Sequence, residues 1–252
     1  MIPRYPGGKK NLHKKILHHF PSPLWSGDTC YVEPFIGGGG LLSAIDGFKK
    51  VRLNDLDIGV ASVYMMIKSD AETLISDLQS ITPSVDRWLI SKDQDGIGSV
   101  REVALNKIIL HACSHGGMGM MSGPQGGYDQ LGDYKIDCRW NPKRWNEAFR
   151  SLAQKSDIWD VTSKDFSEVE AEGFCYADPP YVKAGSSLYQ NSFNESDHLR
   201  LRDWIGNFKS FVVSYDDHEL VRDLYSEFKI EEIEVNSVNS KNKKQKELVI
   251  WK

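Results

Sequence analysis

The four residues Asp178-Pro179-Pro180-Tyr181 combine types and spacing that could do chemistry. Consecutive prolines fix the backbone, so the carboxylate before them and the ring after them are held in set positions. The Asp178 carboxylate and the Pro179 carbonyl could accept the two hydrogens of an amine whose lone pair is delocalised, as in the exocyclic N6 amine of adenine. Two such acceptors favour a pyramidal nitrogen. They also stabilise the positive charge that grows on it during attack. Tyr181 offers a flat face on which a base can stack. The bland alternative is a proline-rich turn with an incidental acid and ring.

A second stretch, Tyr31-Val32-Glu33-Pro34-Phe35-Ile36 followed by Gly37-Gly38-Gly39-Gly40, is a strand that runs directly into glycines. Glycines let backbone approach a ligand closely and adopt positive φ. Asp55 ends the next strand-like run, where an acid could accept hydrogen bonds from a ribose. Together these point to a nucleoside-type cofactor, although GxGxxG spacing is not met and a tight turn with a surface acid would look similar. A reactive sulfonium on such a cofactor would leave the protein mainly the task of aligning nitrogen, methyl carbon and sulfur. A base inside a duplex must be flipped out to reach such a pocket. Tyr189, Phe193 and His198, downstream of Asp178, could close over it or could be ordinary packing residues.

The elements that must position these groups alternate. Lys10 to Phe20 has helical apolar spacing and is stopped by Pro21 and Pro23. Cys30 to Phe35 and Val51 to Asn54 read as strands, Leu41 to Phe48 and Ile58 to Lys68 as helices. Such a β-loop-α-β-α order predicts a parallel, doubly wound α/β sheet. Ala71 to Gln79 and Val100 to Cys113 read as further helices, followed by a Gly- and Met-rich stretch, 114–127, that reads as a long irregular loop. From Trp145 the α/β pattern resumes: Ile158 to Val161, Phe174 to Ala177 and Phe211 to Ser214 are strands. Asn194 caps a helix to about Phe208, a second runs from Asp217 to Phe228, and Lys229 to Asn236 with Leu248 to Trp251 forms a terminal hairpin. The division that follows is a catalytic domain of residues 1–69 and 148–252, interrupted by an insert of residues 70–147.

A chain of 252 residues, 40% hydrophobic, can bury one substantial core. No apolar run approaches the roughly 20 residues of a membrane span, and the amino-terminal residues do not read as a signal peptide. A cytoplasmic location is expected. Cys30, Cys113, Cys138 and Cys175 are scattered, and Cys30 and Cys175 sit in or beside apolar runs as free thiols. His111, Cys113 and His115 alternate but match no zinc template, so no metal is expected. The net charge of −4 counts mildly against nucleic acid. Local basic clusters count the other way: Arg139, Lys143 and Arg144 around Trp140 and Trp145, and Lys241, Lys243, Lys244 and Lys246.

In order along the chain, these motifs resemble the Dam-like, or D12 class, adenine-N6 DNA methyltransferases. Tyr5-Pro6-Gly7-Gly8-Lys9 is similar to the family's amino-terminal cofactor element, and Glu33-Pro34-Phe35-Ile36-Gly37-Gly38-Gly39 to its glycine motif. Asn54-Asp55 resembles its ribose-binding acid, Ser163-Lys164-Asp165-Phe166 the element beside the cofactor's adenine, and Asp178-Pro179-Pro180-Tyr181 its catalytic motif. Tyr189, Phe193 and Asp197-His198 fit the segment that follows, and residues 239–248 the closing hairpin. The resemblance implies a Rossmann-like sheet with an inserted, mainly helical target-recognition lobe. It implies S-adenosylmethionine held by Tyr5, Lys9, Glu33, Phe35, Gly37, Gly39, Asp55, Asp165, Phe166 and Asp178. Catalysis falls to Asp178, Pro179 and Tyr181. Double-stranded DNA is the partner, contacted by Tyr181, Tyr189, Arg139, Arg144, Lys241 and Lys243. No obligatory protein partner is implied, and the setting would be a bacterial cell, a prophage or a phage-infected host. Ser114-His115-Gly116-Gly117-Met118-Gly119-Met120 departs from the GATC-specific members, which counts against GATC and leaves the target open. Gln125 and Asn141 are further side chains suited to base edges or phosphates. Two other readings stand beside this one: a methyltransferase acting on RNA adenine or a protein amide, and a DNA-binding protein that retains the cofactor fold.

Overall fold

Short runs of β-branched and aromatic residues, bounded by glycine or proline, build the sheet. In the computed structural model, which describes residues 13–21, 29–183, 192–236 and 244–252, the strands are β1 (Cys30–Glu33), β2 (Lys50–Asn54), β3 (Trp159–Thr162), β4 (Phe174–Ala177), β5 (Ser210–Asp216), β6 (Lys229–Asn236) and β7 (Lys244–Trp251). The helices are α1 (His13–Leu17), α2 (Ile58–Ser80), α3 (Val85–Asp93), α4 (Val100–Cys113), α5 (Pro142–Ala153), α6 (Glu195–Ile205) and α7 (Glu219–Leu224). Among the described residues, Ile36–Ala44 and Asp55–Ser163 form one unit and the remainder a second.

The second unit carries six strands in the order β2-β1-β4-β5-β7-β6. β2, β1, β4 and β5 are mutually parallel, and β7 and β6 add an antiparallel edge. Every residue of β1 and of β4 is buried, as expected of parallel strands covered on both faces. Their core gathers Val32, Phe166, Cys175, Leu201, Trp204, Phe208, Phe211, Val213 and Ile250. Because β1, β4 and β5 run the same way, Pro34, Asp178 and the end of β5 lie along one edge. Cys30 and Cys175 are buried free thiols, as expected.

The first unit is mainly helical. α2 packs on α4 and α5, and α3 packs on α4. Ser84 caps α3, and Ser99 with Glu102 forms a capping box on α4. The expected helices 58–68 and 71–79 form one run, α2, broken at Asp70 (φ −161°, ψ 73°). The Asp70 carboxylate there accepts the Thr73 N–H at 3.0 Å and restarts the helix.

Other expectations need correction. Leu41 to Phe48 is not a helix. It holds only a single 3-10 turn at Leu42–Ala44, and Gly47 at φ 87° ends any continuation. α3 and α5 were not read from the sequence, although Asn141 before Pro142 is a regular start for α5. The stretch 114–127 is irregular but tightly braced: Ser114 pairs with Pro124, and Ser114 Oγ accepts from Trp88 Nε1 (2.9 Å) and donates to the Gly119 carbonyl (3.0 Å).

Candidate active site

In the second unit, β4 ends at Ala177, which is paired with Val213, so Asp178 emerges beside Ser214. Ser214 donates to Asp178 Oδ1 at 2.8 Å and lies 3.0 Å from the Tyr176 hydroxyl. Since the serine proton goes to the carboxylate, Tyr176 donates to Ser214, and the three form a directed chain. Burial first, then the charge of Asp178, holds the Tyr176 phenol well above its ordinary range. It therefore remains a donor. Asp178 itself is half-buried, while Ser214 and Tyr176 are buried.

The residues after the prolines are clamped. Asp216, at the end of β5, accepts the N–H groups of Val182 and Lys183, each at 3.0 Å, one on each carboxylate oxygen. This fixes the chain just beyond Tyr181, whose ring packs 6.3 Å from Tyr215. His198 was read as either a lid residue or packing. It is 2% exposed and its Nδ1 lies 2.8 Å from the Tyr215 hydroxyl. Phe193 packs on Phe35, Phe166 and His198. Both side chains pack in the second unit.

In the first unit, the glycine turn is pinned by two side chains. Gly37 N–H donates to Asp55 Oδ2 (2.9 Å), and the Tyr64 hydroxyl donates to the Gly37 carbonyl (2.9 Å). Gly37 and Gly39 have φ of 44° and 62°, and a Cβ at Gly39 would overlap the Tyr64 hydroxyl. Asp55 Oδ1 accepts the Asp57 N–H at 3.0 Å. Burial, then the charge of Asp57, pushes the Asp55 carboxyl up to about 7, against the pull of those N–H groups and of Lys107.

The profile of the D12 class N6 adenine-specific DNA methyltransferases matches residues 5–239. The chain belongs to this family. It is also similar to a Type II methyltransferase, M.MjaIII of Methanocaldococcus jannaschii, at 26% identity, with 79% of this chain and 76% of that protein covered.

Within this methyltransferase, several expected site residues have structural partners. Glu33 is buried and accepts from Tyr31 at 2.9 Å. Phe166 is buried, packs on Phe35 and Trp204 and carries the Arg200 guanidinium over its ring. Asp165 caps the turn at Phe166–Glu168 and pairs with Arg200 at 2.7 Å; against burial, the bonds from Ser167 and then Arg200 hold its carboxyl below the usual range. Arg139 and Arg144 are exposed, whereas Asn141 accepts the Arg144 N–H at 3.1 Å as a helix cap. Tyr5, Lys9, Tyr189, Lys241 and Lys243 lie outside the described residues.

Sequence reasoning missed Ser214, Asp216, Tyr64, Asp57 and Lys107. Only Asp57 carried a local signal: an acid immediately before an apolar helical run. The others act across 27 or more positions, which no local pattern reveals.

Proposed function

We propose that the chain transfers a methyl group from S-adenosylmethionine to adenine N6 at a specific site in double-stranded DNA, with the target base flipped out of the duplex. The observation that carries the catalytic assignment is the Tyr176–Ser214–Asp178 hydrogen-bond chain. It orients a carboxylate at the carboxyl edge of parallel strands, where α/β sheets bind ligands. Asp178 and the Pro179 carbonyl would each accept one amine hydrogen. Both would stabilise the charge developing on nitrogen. Tyr181 would stack on the flipped base.

The first unit's residues fit a nucleoside. Asp55 already takes two N–H groups, one on each oxygen, and each oxygen has a further lone pair for a ribose hydroxyl. Gly37 and Gly39, with Tyr64 behind them, give close backbone approach. Tyr5, Lys9, Glu33, Phe35, Asp165 and Phe166 complete the proposed set, with Glu33 and Asp165 acting chiefly as supports. When bound, the cofactor supplies an electrophilic methyl group; these residues bind and align it.

Residues 70–147 are proposed to be the target-recognition insert in a Rossmann-like methyltransferase domain, with Arg139 and Arg144 on phosphates or base edges. Lys241, Lys243 and Tyr189 are proposed as further DNA contacts. Among the described residues, no helix is long and apolar enough to cross a membrane; a cytoplasmic site of action is proposed from the DNA substrate. A Type II relative makes a restriction-modification setting reasonable. The test is to incubate the chain with methyl-tritiated cofactor and duplex DNA, then digest to nucleosides. The label should appear as N6-methyladenine; unlabelled DNA, with label taken up in parallel reactions given RNA or protein instead, would overturn the assignment.

A further inference from the structure

Lys107, on α4, is 2% exposed and nowhere near a surface charge role. Its ammonium lies 2.8 Å from Asp57 Oδ2 and 2.9 Å from Asp95 Oδ1. Burial opposes its charge, but Asp57 and Asp95 outweigh that and lift the ammonium above its ordinary range. A buried lysine is costly unless paired in this way. It reaches Asp57 only because residue 59 has no side chain: a Cβ there would overlap the Lys107 Cε. Asp57 in turn caps α2, accepting the N–H groups of Gly59 (2.8 Å) and Val60 (3.3 Å). Its own N–H then holds Asp55 Oδ1.

We propose that Lys107 is a positioning residue for cofactor binding: threaded past Gly59 and gripped by Asp57 and Asp95, it fixes the start of α2 so that Asp57 N–H and Gly37 N–H present Asp55 to the cofactor's ribose. This rests on the reading of Asp55 as the ribose acceptor. The same helix α4 leads into the braced stretch 114–127, so one side chain links the proposed recognition insert to the cofactor residues.

The charge balance around Asp55 gives the proposal a distinctive signature. The charged groups acting on Asp55 are Asp57, on its own segment, and Lys107 on α4; Lys107 is in turn held by Asp95, just after α3, and has His111 near it on the same helix. His111 is pushed down to about 4 by burial, so it is neutral near pH 7, and it donates through Nδ1 to the Gly117 carbonyl at 2.7 Å. Among the described residues, Lys107 is the cation that favours an ionised Asp55. Loss of Lys107 should therefore raise the pH at which Asp55 becomes a full acceptor.

The test measures S-adenosylmethionine affinity by calorimetry from acid to alkaline pH, with thermal unfolding as a check on folding. The variants are Asp55→Ala, Lys107→Met/Asp95→Asn and Gly59→Ala. The double variant keeps the cluster's net charge at −1, since one cation and one anion are removed together. Gly59→Ala adds a better helix former and expels Lys107 without changing any charge. Both should bind cofactor about tenfold or more weakly near pH 7, with the midpoint of the pH profile moved upward and kcat at saturating cofactor retained. Unchanged affinity and midpoint in the folded variants, with Asp55→Ala impaired, would overturn the role of Lys107. Unimpaired binding by Asp55→Ala would instead remove the reading of Asp55 beneath it.

Discussion

Replacing Asp55 by Asn should make this methyltransferase more stable at alkaline pH while weakening its cofactor binding. Asp55 carries a carboxyl pushed up to about 7 by burial and by Asp57, against an ordinary value near 3.9. Between those values the folded state holds a proton that the unfolded chain has released, so the group's contribution to stability falls as pH rises through about 7. At full strength a displacement of roughly three units is about 4 kcal/mol. Asp55 is half-buried, and solvent screening reduces this to roughly 2 kcal/mol. Asn cannot titrate, so the variant lacks this pH-linked loss, but its amide nitrogen cannot accept whichever of the Gly37 and Asp57 N–H groups it faces, which costs about 1 kcal/mol at every pH. The net gain above pH 7 is then about 1 kcal/mol, which for a chain of this size corresponds to about 2–4 °C in Tm. Thermal unfolding of both proteins from about pH 4 to about pH 9 should show Asp55→Asn the less stable at the acid end, with the order reversing as pH rises toward about 7 and the gap level above it. A gap that does not depend on pH, or an Asp55→Asn protein less stable than wild type at about pH 8, would refute the assigned charge balance.

Ser214→Ala removes the donor to Asp178 and leaves the buried Tyr176 hydroxyl without its acceptor. Single-turnover methylation should slow about tenfold with cofactor affinity within about twofold of wild type. Asp216→Ala releases the Val182 and Lys183 N–H groups and frees the segment beyond Tyr181; it should raise the KM for DNA several-fold more than that for cofactor, read by steady-state kinetics. Gly39→Ala forces a side chain into φ 62° and against Tyr64; a loss of about 1–3 kcal/mol should appear in chemical denaturation, accompanied by loss of cofactor binding.

The strands were legible because their residues announce themselves. Cys30–Glu33 and Phe174–Ala177 are short apolar runs closed by proline, and the terminal hairpin follows from two β-rich runs around a lysine-rich connection. The cap at Asn194 was legible for the same local reason. Asp178, Tyr181, the glycines and Asp55 stood out as chemistry on strand ends. What escaped was whatever depends on distant partners. α5 begins at Pro142 with charged residues spread around its buried Trp145, Phe149 and Leu152, so its apolar period was easy to pass over. Leu41 to Phe48 has helical composition, but the Asp46-Gly47 pair breaks it. Ser214 and Asp216 look like strand residues until the parallel register sets Ser214 beside Asp178 and the chain beyond Tyr181 brings Val182 and Lys183 to Asp216. Lys107 reads as a surface lysine until Gly59 lets it through to Asp57.

The claim on which the account stands is that the Asp178 carboxylate grips the amine that accepts the methyl group. Asp178→Ala should be measured in single-turnover transfer to duplex DNA, beside calorimetric cofactor affinity on the same preparation. We expect methylation at least about a hundredfold slower while the folded variant retains most of its cofactor affinity. Transfer at the wild-type rate would contradict the claim.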